Sequence, residues 1–225
     1  MTPESRLPGR AAAGARRYAG AGALLAALAT SACATVPADP VALPDLDAKR
    51  LNAGIEAPLV HVGDQFVFNN PDQLWEVMAT EGPYIAWRDG AGNELLTSHN
   101  PIYPALQWNG TAQAGRRAIK DIDGSLFPLA QGNSVTFEVE GQADRPPAVW
   151  RAKWQCVVQD RQPVTVPAGK AEVWPVLCMR NGREEFLFQY DPEIGNYVQV
   201  ATFVEGKAQV RQLTTFRRGP TRPAP

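Results

Sequence analysis

Cys156 and Cys178 are the two side chains whose spacing points most directly to a reaction, the oxidation of two thiols to a disulfide. Their positions share a midpoint, Pro167, with Val164 and Lys170, so a hairpin folded about that proline sets the thiols opposite each other on one sheet face, within reach of a bond. Other reactive groups are more scattered. Asp121 and Asp123, in Lys120-Asp121-Ile122-Asp123-Gly124, could serve as paired carboxylates or calcium ligands, but the segment lacks the further acceptors and later Glu of a calcium loop and reads as a polar turn. Glu138 and Glu140 fall on one face of a strand and read as its wet side. His61 and His99 are the only histidines, and no C-x-x-C, G-x-S-x-G, H-E-x-x-H or Gly-rich helix-opening loop occurs. Neither a metal nor a cofactor is expected, and the chain is expected not to be an enzyme.

Cys33 offers a different chemistry. Arg6, Arg10, Arg16 and Arg17 precede an apolar stretch, Tyr18 to Ala29, that is too short for a bilayer of about 30 Å, which takes roughly 20 residues. Residues 1–33 therefore read as an export signal, with Arg16-Arg17 part of its basic region rather than a twin-arginine address. Ser31-Ala32-Cys33 resembles the lipobox of bacterial lipoproteins, in which the cysteine is acylated and becomes the N-terminus, although Thr30 stands where the pattern favours Leu. Cleavage at an ordinary small-x-small site, giving a soluble periplasmic protein, is the alternative. Because Ala34 and not Asp follows Cys33, the resemblance implies anchoring at the outer membrane, facing the periplasm. That compartment is oxidising and favours the Cys156–Cys178 bond.

The elements that position these groups follow from periodicity. Removing residues 1–33 leaves 18 basic against 22 acidic side chains, a net charge near −4, and no basic patch for nucleic acid. The doublets Arg116-Arg117 and Arg217-Arg218 read as solvated faces. Residues 34–58, rich in Ala, Pro and Asp, read as a tether with a short helical turn at Asp45 to Leu51; residues 59–218 form a single domain; residues 219–225 have nothing to bury and read as a disordered tail. Within the domain, Val135 to Val139 and Trp150 to Val158 alternate apolar with polar residues, the mark of strands with one dry face. Further strands are expected at Val60 to Phe68, Leu74 to Ala79, Tyr84 to Arg88, Glu94 to Ser98, Ala171 to Arg180, Glu185 to Tyr190, Tyr197 to Val204 and Ala208 to Phe216. Turn chemistry such as Asn181-Gly182 and Glu205-Gly206 separates them. The expected fold is all-β: a curved antiparallel meander of about nine or ten strands, closed as a half-barrel or barrel because a twisted sheet must bury its apolar face. The Pro-rich segment Asn100 to Trp108 is expected to cross an open end rather than to form a central strand.

Val164-Thr165-Val166-Pro167-Ala168-Gly169, followed by Gln189-Tyr190-Asp191-Pro192-Glu193-Ile194-Gly195-Asn196-Tyr197-Val198, resembles a group of uncharacterised bacterial envelope proteins in which a V-T-V-P-A-G hairpin precedes a second Pro/Gly hairpin. The resemblance covers about residues 150 to 216 and has Lys170-Ala171 where the group favours Thr-Phe. It implies a curved sheet of the kind seen in lipoprotein-localisation carriers, and it brings no catalytic residues.

Six tryptophans, with Phe66, Phe68, Phe186, Phe188 and Tyr190, give such a sheet a broad aromatic concave face. Most of these rings are core. The functional expectation is that part of the face stays open for an apolar or acyl ligand or a lipidated partner, with Trp108, Tyr103, Trp87 and Trp174 as candidate binding residues and Trp108 at the rim. A scaffolding lipoprotein that contacts another envelope protein and has no pocket is the rival, and an uncharacterised hydrolase the third reading.

Overall fold

The computed structural model describes residues 47–55, 59–80 and 82–220. Cys33, the export signal, most of the proposed tether and residues 221–225 lie outside them. A helix of four residues, α1 (Ala48–Leu51), precedes thirteen strands: β1 (Gln65–Phe68), β2 (Gln73–Ala79), β3 (Tyr84–Asp89), β4 (Glu94–Ser98), β5 (Gln107–Asn109), β6 (Ala114–Gly124), β7 (Ser134–Ala143), β8 (Val149–Val158), β9 (Gln162–Val166), β10 (Gly169–Arg180), β11 (Arg183–Asp191), β12 (Asn196–Val204) and β13 (Lys207–Arg217). Each strand pairs antiparallel with its neighbours, β1 joins β13, and β10 pairs with both β8 and β11. Twelve strands therefore close into a barrel, with β9 added beside the first half of β10.

Three strands go beyond those read from the sequence. β5 uses Gln107 and Trp108 at the end of the Pro-rich segment, once Pro101 and Pro104 are behind it. β6 was hidden because Gly115 and Arg117 occupy inward positions where alternation demands apolar residues. Asp121 and Asp123 belong to this strand: the expected polar turn is a β-bulge, with the register slipping between Lys120 and Asp123 and Asp121 at φ 50°. β1 is shorter than expected, because the backbone from Val60 to Asp64 turns, with Gly63 and Asp64 bonding Val77 of β2 outside the regular ladder.

The V-T-V-P-A-G turn forms β9–β10, but its register differs from the expected one. Val164 faces Ala171 and Val166 faces Gly169, a two-residue turn at Pro167-Ala168. A one-residue slip where β8 ends restores the symmetric register, so Cys178 faces Cys156 and the disulfide forms, with Cα atoms 4.1 Å apart.

Because neighbours run antiparallel, the turns alternate between two ends. One end carries the turns β1–β2, β3–β4, β5–β6, β7–β8, β10–β11 and β12–β13. The other is filled from within. Leu51 of α1 joins Ile102, Tyr103 and Leu106 from the Pro-rich segment and Leu126 and Phe127 from the β6–β7 connection in one core. Asn52 donates to the Pro83 carbonyl at 3.0 Å and accepts from the His99 N–H at 2.8 Å, so residues 48–54 are part of the barrel rather than of a tether. A second core gathers Phe66, Phe68 and Leu213 with Val166 and Val173, which the β9–β10 hairpin folds over them. Gly219, read as tail, is buried: its N–H donates to Asp64 at 2.7 Å, and Arg218 pairs with the same fully buried carboxylate at 2.8 Å.

Outward positions on β6, β7 and β8 are charged and cross-paired. Glu138 is 3.3 Å from Arg151 and 3.4 Å from Lys153, and Glu140 bonds both Lys120 and Arg151. Apolar residues inside and charges outside are the inverse of a lipid-facing barrel, so this wall faces water.

Candidate functional site: the aromatic lumen

Eight strands make a barrel that its own side chains just fill; twelve enclose more space. Between the two cores, toward the end bearing the hairpin turns, lies a cavity of about 440 Å³. Its walls come from inward positions: Trp75, Trp87, Leu95 and Val139 from the β2–β7 side, and Trp150, Trp154, Phe186 and Phe188 from β8 and β11. Residues 101–105 of the Pro-rich segment form its floor, as the sequence placed them, across one end of the barrel.

The rings are continuous. Tyr103 meets Phe137 edge-on at 4.8 Å, Phe137 stacks on Trp154 at 6.1 Å, and Trp154 stacks on Phe186 at 5.9 Å. The row continues through Phe188 and Tyr197 to Phe68, with centroids 5.2 to 5.5 Å apart. Each such contact adds about 0.5–1.5 kcal/mol beyond area burial and fixes ring orientation, which favours a preformed wall over a collapsed one. The Trp87 indole donates to the Thr97 hydroxyl at 2.9 Å, so its polar atom is already satisfied. Burial pushes the Tyr103 phenol up to about 12, leaving it neutral at any physiological pH.

Of the four residues proposed to bind a ligand, Trp87 and Tyr103 line the cavity. Trp108 does not; its ring lies under Arg117, 4.3 Å from the guanidinium, and 5.9 Å from Trp150. Trp174 packs against the core beneath, opposite Tyr190. Glycines make this corner. A Cβ at Gly115 would come within 2.3 Å of the Trp108 ring, and one at Gly141 within 2.1 Å of Trp150, so both indoles lie flat over residues that have no side chain.

Sequence reasoning missed the cations of the lumen. Arg117, Arg180 and Arg211 all line the cavity. Arg117 is the inward half of a doublet read as a solvated face, while Arg116 points out to Gln142 at 3.0 Å. Strand parity would have separated the two, had β6 been recognised. Glu185, also in the lining, is 2.8 Å from Arg180 at the rim. Among the described residues no group of three potential metal ligands assembles.

No protein-family model matches the chain, and no curated protein matches it. Among solved structures, the hypothetical lipoprotein YmcC from Escherichia coli aligns at TM-score 0.47 and 14% identity, over 79% of this chain and 94% of that one. A putative exported protein with a YmcC-like fold from Bacteroides fragilis aligns at TM-score 0.35 and 10% identity, over 71% and 97%.

Proposed function

We propose that this protein is an exported envelope lipoprotein, anchored through Cys33, whose barrel is a non-enzymatic binding module for the acyl chain of a ligand or of a lipidated partner. The observation that carries the reading is the lumen. After both cores have formed, about 440 Å³ stays open behind aromatic walls, above the roughly 300 Å³ at which ligand pockets begin. Each methylene moved from water into such a space contributes about 0.8 kcal/mol, so even a short chain has a driving force. Binding is favoured over hydrolysis by what lines the space: the described lining holds no His or Cys, and Glu185 is committed to Arg180. Native mass spectrometry of protein purified gently from its own envelope tests this, with a co-purifying acyl species expected. Protein that carries none, and that binds no added acyl chain, would make the scaffold the better account.

A further inference from the structure

Resting on that reading, we propose that the occupant is a single-chain carboxylate, with its head on Arg211 and its chain along the aromatic walls. Charge in the lumen is unbalanced. Of the three arginines lining it, Arg180 has Glu185 as a partner, whereas neither Arg117 nor Arg211 has a carboxylate within 4.0 Å among the described residues. The Asp89 carboxylate reaches Arg211 only through Gln73, whose amide oxygen accepts from Arg211 at 2.8 Å while its nitrogen donates to Asp89 at 3.2 Å.

The arginines also have unspent donors. A guanidinium carries five N–H groups. Arg117 donates to the Ala105 carbonyl at 3.0 Å, and Arg211 donates to Gln73; the Nε of Arg211 is buried with no partner among the described residues. A buried charged donor without an acceptor is costly, and a carboxylate is the acceptor whose paired oxygens match the guanidinium fork. Rings already hold the forks in place, Phe68 at 5.6 Å from Arg211 and Trp108 at 4.3 Å from Arg117. Burial also pulls the Arg117 guanidinium below its ordinary value, a penalty that a nearby anion would offset.

β6 and β13 stand six strands apart in the ring of twelve, so the two cations face the lumen from opposite walls, and each lies four or five residues in from the end with the hairpin turns. An anion entering there meets positive charge from both sides, with Phe188, Trp87 and Tyr103 available to its chain. The head falls to Arg211 because its Nε is the buried donor without a partner among the described residues, and Arg117 supplies the supporting field across the lumen.

The test uses the full chain carrying Cys33→Ser, so that no detergent is needed for an anchor, and follows quenching of tryptophan fluorescence by dodecanoate, methyl dodecanoate and dodecyl phosphate. Dodecanoate is expected to bind at least about tenfold tighter than its ester, as one charge-assisted hydrogen bond implies. Arg211→Gln should bring that ratio near one, and Arg117→Gln should lower it by less. Equal binding of acid and ester overturns the anion inference and leaves acyl binding standing; binding of neither overturns both. Tighter binding of the phosphate overturns the choice of carboxylate, and a ratio that survives Arg211→Gln overturns the assignment of the head. The acid-to-ester ratio in the unmutated lumen decides the charge question even where a variant folds poorly.

Discussion

Tyr190 is fully buried, and its hydroxyl has no hydrogen-bond partner among the described residues. Burial first, and the neighbouring Asp191 second, push its phenol far up. A buried hydroxyl without a bond costs about 1–3 kcal/mol, so Tyr190→Phe, which keeps the ring against Phe127 at 5.6 Å, should raise stability by about 1 kcal/mol in urea unfolding. A loss would show that the hydroxyl has a partner in solution. Asp191 gives a pH signature. Burial raises its carboxyl above the ordinary 3.8, and the N–H of Glu193 at 2.8 Å offsets this only in part. A raised acid binds more protons folded than unfolded, so it takes stability away as pH climbs from 3.8 through the raised value, and the full cost is present at pH 7. Asp191→Asn keeps an acceptor for Glu193 and should stabilise at pH 7 but not below 3.8; an equal effect at both pH values would refute the linkage. Asp89 behaves oppositely. Burial acts to raise it, but bonds from Asn93, Gln73 and Ala91 win and hold it below the ordinary range, so its contribution is present above 3.8 and is lost as pH falls through the lowered value.

At the scale of elements, the disulfide and the inward glycines each hold a wall. The Cys156–Cys178 bond ties β8 to β10 across a sequence separation of 22. In the chain-entropy account this restricts the unfolded chain by about 3 kcal/mol, so the double variant Cys156→Ala, Cys178→Ala should lose about that much, read from the shift in urea midpoint. Two titratable thiols in the denatured, unreduced protein would show the bond absent. Gly141→Ala tests the corner at Arg117: the new methyl would meet the Trp150 ring and drive the indole from its seat. A cost of about 1–3 kcal/mol is expected, together with a change in tryptophan emission. Unchanged emission would mean that Trp150 does not lie on this glycine.

For the whole molecule, the proposed anchor makes the most direct prediction. One acyl chain holds a protein to a bilayer only marginally, whereas several hold it firmly, so the wild type should fractionate with membranes and Cys33→Ser should release it. Recovery of the wild type in the detergent-free soluble fraction, without acyl mass on Cys33, favours the processed soluble form instead. The wall formed by β6 to β8 gives no reason to remain in lipid, since its outer face is ion-paired.

Much of the barrel was legible in the sequence. Alternation at Val135 to Val139 and Trp150 to Val158, the turn residues and the symmetric cysteines are local signals, because a strand with one dry face writes its period into the chain and opposed residues share a midpoint. Closure is not local. Whether β13 meets β1, and hence whether ten or twelve strands surround the core, depends on the stagger of the whole sheet, and so does the space left inside. The lumen cations were illegible for the same reason. A charged residue at an inward position looks like a break in the pattern until the opposite wall shows that a cavity lies before it, which is how Arg117 read as solvated surface and Trp108 as a rim residue when the two in fact stack beside that cavity. Composition and period determined an all-β chain with a disulfide and an aromatic interior; only the three-dimensional closure decided which rings pack, which stay open, and which charges face them.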